Sequence, residues 1–336
     1  MGICCFRRIQ YTPGSIKRRS QSETLLRPWR SDLRGVKNGH SRKLPHFSHS
    51  IELMDILIRD LTESDLAIVN EIGMAAFQST EDRTDELRRL FALRPELWLL
   101  ALAQGVPVGA VLAVDYGPFA YVGDMVVRPS MQHHGIGSRL MKELLGGLDA
   151  RGTPMVLLDA SKAGAPMYRR LGFVESDGSY VFEQVAKSSP VPLPPNVHAF
   201  KPEDAAALVD WDASFFGANR ARVLLPLLAE FPDRAWVVKD ETGSWSGYLF
   251  AQPKRLGPWV ARQLQDAQAL LQVGLSVPFT GAPRVTVPQM NGVAVELLER
   301  FGFRLVDNTQ LHMRRGGTGL VSRREMIFGQ RSFSLG

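Results

Sequence analysis

The sequence predicts an α/β protein of the α+β type, with two similar units that each hold a mixed, mostly antiparallel sheet flanked by helices. Three observations favour this fold. Short apolar runs bounded by glycine and proline alternate with runs whose apolar residues recur at helical spacing. The order of these runs occurs twice within 336 residues, a length with room for two domains. Four prolines within residues 190–195 separate the two copies, as in a linker.

We expect the first unit to cover residues 54–187. Thr62–Asp65 has the form of a helix cap, and the apolar residues after it continue at helical spacing to Phe77. Further helices are predicted at 82–91, 138–150 and 165–171. Strands are predicted at 56–59, 98–103, 108–116, 120–127 and 155–158.

The second unit is expected to follow a linker at 188–196 and to cover residues 197–336. The predicted helices are 203–211, 220–230, 261–272 and 292–300, and the predicted strands are 235–239, 246–251 and 285–287. Segments 168–173 and 298–303 occupy the same place in the two units, because each ends a helix with glycine and continues with phenylalanine. This match indicates two copies of one fold; chance similarity of two helix ends is the competing explanation.

Residues 1–53 are predicted to be a disordered basic tail. The first 50 residues hold 11 of the 40 lysines and arginines but only two acidic residues, Glu23 and Asp32. They carry a net charge of about +9 and the rest about −3, so the basic character is not that of the folded body and no nucleic-acid partner is expected. Three explanations stay open: a solvated segment without a role, an extension before a natural start at Met54, or a targeting or lipid-anchor segment.

The composition excludes several classes of protein. An apolar content of 45% suits a folded protein with a substantial core. No apolar run reaches the ~18 residues of a membrane span, and we expect a cytoplasmic protein without a membrane partner. The two cysteines, Cys4 and Cys5, are adjacent, which argues against a disulfide framework and a cysteine-based metal site. The seven histidines show no metal-ligand spacing on a helix, so no metal is expected.

The segment 122–145 carries the strongest functional signal. An apolar strand leads into a turn with Gln132, Gly135 and Gly137, and a helix is predicted to begin at about Ser138. Since glycine has no Cβ, such a turn can direct several backbone N–H groups to one point, and the helix N-terminus adds partial positive charge. This arrangement predicts a diphosphate site. The spacing is neither that of a dinucleotide-binding turn nor that of a nucleotide P-loop, which ends in Gly-Lys-Ser/Thr.

The pattern Gln132-x-x-Gly135-x-Gly137 resembles the acetyl-CoA pyrophosphate loop of the GNAT N-acetyltransferases. The resemblance extends over 125–137 and 158–173, and the segments 257–261 and 287–291 are similar to the divergent second unit of tandem members. It covers about residues 54–315. It implies N-acetyltransferase activity with acetyl-CoA as co-substrate. The second unit lacks the glycine turn, which implies a non-catalytic copy.

The resemblance also implies which residues hold the cofactor. Backbone N–H groups of the turn are expected to bind the diphosphate, and the pantetheine arm is expected to pair with the preceding strand like an added strand. The residues implied are Met125, Val126, Val127, Gln132, His133, His134, Gly135, Ile136, Gly137 and Ser138. His133 and His134 are expected to contribute through their backbone rather than as catalytic bases.

Three residues are candidates for catalysis. Tyr168 stands at the family's general-acid position, near the leaving sulfur; the alternative is a core tyrosine that closes a helix. Asp124 precedes the pantetheine strand, where some members place a base; the alternative is a surface or turn carboxylate. Asp159 ends the neighbouring strand and is expected to face the same cleft, where it would bind the substrate ammonium or relay its proton; the alternative is a helix cap.

The resulting hypothesis is direct acetyl transfer, in a ternary complex, from acetyl-CoA to the amine of a small molecule, by a monomer or homodimer. Two alternatives stay open. One is an acetyltransferase for protein lysines or N-termini, which would need an open groove, and the other is a regulatory protein that binds acyl-CoA without turnover. Asn219 stands where related second units often carry aspartate, while Arg220 and Arg222 would suit an acidic group of the acceptor.

Overall fold

The computed structural model describes residues 55–92, 97–185, 192, 194–317, 319 and 322–336, with only the backbone at 307–309. The predicted tail at 1–53 and much of the predicted linker at 188–196 lie outside the described residues. The described residues fall within one compact body.

The first unit contains the elements that the apolar runs predict, with ends shifted by a few residues, and one further strand, β6. In chain order they are β1 Ile56–Asp60, α1 Leu66–Phe77, α2 Thr84–Phe91, β2 Trp98–Ala103, β3 Val106–Asp115, β4 Ala120–Val127, α3 Ile136–Ala150, β5 Met155–Ala160, α4 Ala165–Arg170 and β6 Val174–Gln184. The Asp65 carboxylate accepts a hydrogen bond from the Thr62 N–H at 2.8 Å, which confirms the cap ahead of α1.

The second unit repeats this order. In chain order its elements are β7 Val197–Ala199, α5 Ala205–Phe216, α6 Ala221–Glu230, β8 Ala235–Lys239, β9 Trp245–Gln252, β10 Arg255–Ala261, α7 Leu264–Gly274, β11 Arg284–Pro288, α8 Gly292–Arg300, β12 Phe303–Gly316 and β13 Ile327–Gly329. One prediction is wrong here. Residues 257–260 do not lead directly into a helix at residue 261; they form the second half of β10, and α7 begins at Leu264.

All strands of the described residues join one sheet of 13 strands. The order is β1-β2-β3-β4-β5-β12-β6-β11-β10-β9-β8-β7, and β13 pairs with β10. β12 of the second unit pairs with β5 of the first, whereas β6 of the first unit pairs with β11 and β12 of the second. The last long strand of the first unit is therefore exchanged with its counterpart in the second unit.

Helices cover both faces of the sheet in the first unit. A Cβ placed on Gly73 of α1 would lie 3.9 Å from the Val126 side chain, and a Cβ on Gly137 of α3 would lie 3.9 Å from the Val127 side chain. Consecutive strand residues point to opposite faces, so α1 and α3 lie on opposite sides of β4. The inner face predicted for α3 is confirmed, since Leu140, Met141, Leu144, Leu145 and Leu148 are all buried.

The sequence pattern does not predict β6, β7, β12 or β13. β6 reads VESDGSYVFEQ and β12 reads FRLVDNTQLHMRRG, so polar residues and glycine interrupt the alternation that marks a strand. β7 and β13 have three residues each, too few for a pattern to register. The strands missed are thus the ones whose pairing depends on the other unit or on chain far away in sequence.

Candidate active site

A gap between two splayed strands lies at the centre of the site. β4 pairs in parallel with β5 only from Ala120 to Val122. Farther along, β4 stays paired with β3 across a register shift, and Asp124 lies in this bulge with a φ of 44°. A positive φ is uncommon outside glycine, and bulges often re-aim groups beside active sites. Among the strands that the structure describes, none therefore pairs with the backbone of 125–127 on the side away from β3.

The corresponding gap in the second unit is filled by the chain itself. β10 pairs in parallel with β11 only at Arg255 and Leu256, and the strands then separate as β4 and β5 do. β13 pairs with β10 at Trp259 and Val260. The residue after β13, Gln330, donates its N–H to the Thr286 carbonyl of β11 at 2.8 Å. β13 thus lies between β10 and β11, in the place that stays open in the first unit.

The glycine turn forms the N-terminus of α3. The helix begins at Ile136, two residues earlier than predicted, and Gly135 precedes it with a φ of 76°. The first helical hydrogen bond runs from the Arg139 N–H to the Gly135 carbonyl at 3.0 Å. The N–H groups of residues 136–138 come before this bond and have no acceptor within the helix. Their direction and the helix dipole favour an anion at this end.

The side chains of the turn have different surroundings. Gln132 donates from Nε2 to the Val127 carbonyl at 3.1 Å, which fastens the turn to the end of β4 and engages one backbone group expected to meet the pantetheine arm. His133 and His134 are exposed. A Cβ on Gly137 would lie 3.4 Å from the sulfur of Met167, so this position keeps α3 close to α4.

A cavity of about 710 Å³ extends along the gap. The predicted site residues that line it are Asp124, Met125, Val126, Asp159 and Tyr168. Val127 and the turn residues 132–138 do not belong to its lining; they follow at the end of β4. The second unit contributes Arg255, Gln310 and the segment 332–334, so both units build the walls.

Tyr168 lies in α4 with 7% of its surface exposed, and its ring packs edge-to-face on Phe173 at 5.8 Å between centroids. Among the described residues its hydroxyl has no hydrogen-bond partner, and the residue borders the cavity. Burial raises the pKa of Tyr168 well above its ordinary value. The phenol therefore keeps its proton at neutral pH, as a general acid requires.

Asp124 is held on both carboxylate oxygens. Arg83 donates to Oδ1 at 2.7 Å and to Oδ2 at 3.3 Å, and the Ser334 hydroxyl donates to Oδ2 at 3.0 Å. Only 8% of the side chain is exposed. The alternative of a surface carboxylate does not fit this burial, and the Asp124 carboxylate is held in position at the bulge by Arg83 and Ser334.

The Asp159 carboxylate does not face the open cavity. It is wholly buried, and it accepts hydrogen bonds from the Tyr121 hydroxyl at 2.5 Å and from the Ser179 hydroxyl at 3.2 Å. His312 Nδ1 lies 3.2 Å from Oδ1, the same carboxylate oxygen that accepts from Ser179. This geometry does not fit direct binding of a substrate ammonium, and a proton relay is the predicted role that remains compatible with it.

The charge of Asp159 is stabilised from several sides. Burial by itself raises the pKa of Asp159, but the hydrogen bond and charge of His312, together with Arg324 and the Tyr121 hydroxyl, outweigh burial and hold this pKa below its ordinary value. Burial and the neighbouring carboxylate raise the pKa of Tyr121. The cluster therefore contains an ionised carboxylate and a protonated phenol at neutral pH.

His312 is the residue of this cluster that the sequence did not indicate. It lies on the exchanged strand β12, 153 residues from Asp159. Arg324 extends the cluster, since it donates to Asp177 at 2.7 Å and to the Ser179 hydroxyl at 3.1 Å. No local pattern marks a single histidine in a polar strand, and only the strand order brings it to Asp159.

Arg220 does not line the cavity. It is buried and forms a two-point ion pair with Asp212, with distances of 2.7 and 2.8 Å. The predicted contact of Arg220 with an acidic group of the acceptor is therefore wrong, because this guanidinium is engaged in the core of the second unit. The Asn219 side chain accepts the Ala221 N–H at 2.9 Å, in the manner of a helix cap.

Across the ranges given above, the structure contains no helix long and apolar enough to cross a membrane. Those same residues include no group of three or more histidine, cysteine, aspartate or glutamate side chains arranged to hold a metal ion.

Comparison with known families assigns both halves of the chain to one class of enzyme, the acetyltransferases. Residues 58–173 match the model of the Acetyltransferase (GNAT) family, and residues 208–329 match that of the Acetyltransferase (GNAT) domain. The chain belongs to the GNAT family as a tandem member and is an N-acetyltransferase. The resemblance seen in the sequence is thereby confirmed.

The most similar proteins agree with this assignment. Serotonin N-acetyltransferase 2 of rice chloroplasts (Oryza sativa) is 32% identical over 119 residues, which are 34% of this chain and 59% of the rice protein. The chain thus spans about six-tenths of that relative's length. Mycothiol acetyltransferase of Sanguibacter keddieii is 24% identical over 284 residues, which are 74% of this chain and 88% of that protein.

Two crystal structures show the same fold over most of the chain. A proposed acetyltransferase from Pyrococcus horikoshii superposes with a TM-score of 0.73 at 24% identity, covering 87% of this chain and all of its own. A GCN5-related N-acetyltransferase from Sphaerobacter thermophilus gives 0.62 at 17% identity, covering 80% of this chain and 98% of its own. The two-unit architecture is therefore shared with other members.

Proposed function

We propose that this enzyme transfers an acetyl group from acetyl-CoA to the amine of a small molecule, with both substrates bound at once. The observation that carries the proposal is that the unpaired backbone of β4 and the phenol of Tyr168 border one cavity. The free edge of a strand can hold an extended ligand such as the pantetheine arm, and a phenol can donate a proton to the sulfur at the end of that arm.

The residues of the first unit fit this cofactor. The N–H groups of residues 136–138 lack helical acceptors and would hold the diphosphate. The free edge of β4 at Met125 and Val126 would hold the pantetheine arm as an added strand. When bound, the thioester supplies the acetyl group and a thiolate as the leaving group.

We assign roles to the three candidate residues from their surroundings. Tyr168 would protonate the departing sulfur, since it is protonated and its hydroxyl is not engaged by the described residues. Asp124, fixed at the bulge, would attract the substrate ammonium or accept its proton through the cavity. Asp159 would act from behind the lining, as part of a relay through Tyr121 and His312.

A small acceptor is favoured over a protein acceptor. The second unit walls the cavity with Arg255, Gln310 and the segment 332–334, where a peptide would need an open groove. The two curated relatives are named for serotonin and for mycothiol, and neither name refers to a protein acceptor. A cytoplasmic location and a monomeric or homodimeric state stay predictions.

The test is a titration of the purified protein with acetyl-CoA, followed by thiol release on a panel of small amines and lysine-containing peptides. We expect binding, and release on one or more small amines. Release only on peptides would indicate the protein acetyltransferase instead. Binding without release on either panel would indicate a regulatory acyl-CoA-binding protein, and absence of binding would overturn all three.

A further inference from the structure

The active-site cavity adjoins a second cavity of about 420 Å³. The two share Glu81, Arg255, Ser332 and Phe333 in their linings. Tyr168 lines the first cavity alone, and the diphosphate turn lines neither. None of the residues proposed for the cofactor lines the second cavity, so the junction at Arg255 can serve the acceptor.

Arg255, the cation shared by the two linings, forms no ion pair with the described residues. The acidic residues that belong to the lining of the first cavity are each engaged: Glu81 with Lys254 at 2.6 Å, Asp124 with Arg83 at 2.7 Å, and the buried carboxylate of Asp159 with His312 at 3.2 Å. Arg255 has no carboxylate oxygen within 4.0 Å among the residues that the structure describes. Its guanidinium donates one long hydrogen bond, from Nη1 to the Arg331 carbonyl at 3.4 Å, and its other N–H groups have no acceptor within the described part of the chain.

Other arginines add to the positive charge near Arg255. Arg83, Arg255 and Arg331 all act on the Glu86 carboxylate, and Arg83 is shared with Asp124. Burial by itself raises the pKa of Glu86, but these three guanidiniums lower it to about 2. Burial and repulsion by Arg255 lower the pKa of Arg331 to about 10, and the buried Nη1 of Arg331 has no hydrogen-bond partner among the described residues. An anion beside Arg255 would balance the group.

We propose that Arg255 binds an anionic group of the acceptor, so that the preferred acceptor is a small amine that carries a carboxylate or a phosphate. A guanidinium presents a planar pair of donors that matches either group at two points. This inference rests on the proposed function, because it concerns the acceptor of that same reaction. It also gives Arg255 on β10 a role in specificity that neither the glycine turn nor Tyr168 supplies.

The experiment compares matched acceptors that differ in one charge. Alanine is paired with alaninamide, phenylalanine with phenylalaninamide, and O-phosphoethanolamine with ethanolamine. kcat/KM is measured for the wild type, Arg255→Gln and Arg255→Lys, and the anionic-to-neutral ratio is compared between enzymes, so that differences in amine basicity cancel. Lys239→Gln is the control, because it removes the same charge from a partly exposed position of the second unit that lines neither cavity and whose partner is Asp204.

We expect Arg255→Gln to lower the anionic-to-neutral ratio roughly 10- to 100-fold in the carboxylate or the phosphate pair, in line with the loss of a charge-assisted hydrogen bond. Arg255→Lys should keep part of the preference, and Lys239→Gln should leave it within a few-fold. An unchanged ratio, an equal fall for both members of each pair, or a loss of acetyl-CoA affinity in Arg255→Gln would overturn the proposal.

A binding measurement keeps this test independent of turnover. Calorimetry with N-acetylalanine and O-phosphoethanolamine, in the presence of coenzyme A, should show weaker binding to Arg255→Gln than to the wild type. If no amine is acetylated by any variant, the proposed function fails, and the calorimetry still decides the anion site. Equal affinity of the wild type and Arg255→Gln for both probes would overturn the site itself.

Discussion

Tyr168 combines the two properties that a proton donor in a catalytic cavity needs. Its ring is fixed by α4 and Phe173, and burial keeps the hydroxyl protonated by raising its pKa. A phenol that served only the core would normally reach a hydrogen-bond partner when buried, and none is present among the described residues. The residue is therefore better explained by a task in the cavity than by packing alone.

We predict that Tyr168→Phe lowers kcat by ~10²–10⁴-fold, the range for loss of a general acid, and leaves acetyl-CoA affinity within a few-fold. The variant keeps the ring and its contact with Phe173, so the melting temperature should barely change. Steady-state kinetics, calorimetry and thermal melting on the one variant provide the measurements. Unchanged kcat with a lowered melting temperature would instead assign Tyr168 to the core.

Asp159→Asn should destabilise the protein by about 1–3 kcal/mol at pH 7, since it leaves buried partners imperfectly paired. The folded-state pKa of Asp159 lies below its ordinary value. The stability that the ionised carboxylate contributes is therefore complete above about pH 4 and is lost as the pH falls through the folded-state pKa. Urea unfolding at pH 7, 5 and 3 should show a constant difference from the wild type at pH 7 and 5 and a smaller one at pH 3. A difference that grows towards acid would contradict this.

The same variant separates a relay from a purely structural role. If Asp159 passes a proton through Tyr121 and His312, kcat per folded molecule should fall, and its pH profile should shift. His312→Gln is the matched variant from the other unit, because glutamine can still donate a hydrogen bond but cannot take up a proton. Normal turnover in both variants would leave Asp159 with a structural role only.

Individual residues were predictable from the sequence where a local pattern constrains them. Gly135 and Gly137 stand out because only glycine combines a tight turn with a close helix, and the structure gives Gly135 a positive φ. Arg255 and His312 were not predictable. Each belongs to a strand of the second unit: His312 reaches Asp159 through the exchange of strands, and Arg255 borders the cavity from β10.

At the scale of elements, the turn before α3 is the part of the site most open to a direct test. Gly135→Asp and Gly137→Asp each place a negative charge where residues 136–138 present free N–H groups. Repulsion of the diphosphate should weaken acetyl-CoA binding at least roughly tenfold, and at position 135 an added Cβ also strains the positive φ. Isothermal calorimetry measures the change.

The control is Gly146→Asp, which adds the same charge to the exposed face of the same helix, where a Cβ meets no atom within 4 Å. This variant should bind acetyl-CoA within a few-fold of the wild type. Equal affinity of all three variants would place the diphosphate elsewhere.

Elements with a strong apolar period were predicted closely, and those that depend on distant partners were not. Trp98–Ala103, Ala120–Val127 and Gly292–Arg300 have the predicted ends, because burial on both faces or on one helical stripe leaves a regular signal. β6 and β12 lack such a signal. Their polar residues include Asp177 and His312, whose partners Arg324 and Asp159 each lie in the other unit, so these pairs form only after the two units have joined.

At the scale of the whole molecule, the strand exchange predicts that the linker is not a place where two independent domains can be separated. A fragment of residues 1–189 would lack β12, which leaves β5 with an open edge and β6 without its partners. We expect this fragment and a fragment of residues 190–336 to associate when co-expressed and to elute together in size-exclusion chromatography. Each fragment alone should melt at a lower temperature and without a sharp transition. Cooperative melting of either fragment as a monomer would contradict the prediction.

The position of β13 has a consequence for how much acyl-CoA the molecule can hold. A segment tethered by its own chain competes with a free ligand at an effective concentration on the order of millimolar. A ligand at micromolar concentration therefore cannot displace β13 from between β10 and β11 at equilibrium unless its affinity is far greater. We predict a stoichiometry of one acetyl-CoA per chain. Calorimetry measures it, with the protein concentration determined by a method that does not count active sites. A value of two would mean that the ligand displaces β13. With one acetyl-CoA per chain, the duplicated fold provides a single substrate-binding cleft. The corresponding cleft of the second unit holds β13, which leads into the segment 332–334 that lines the first cleft.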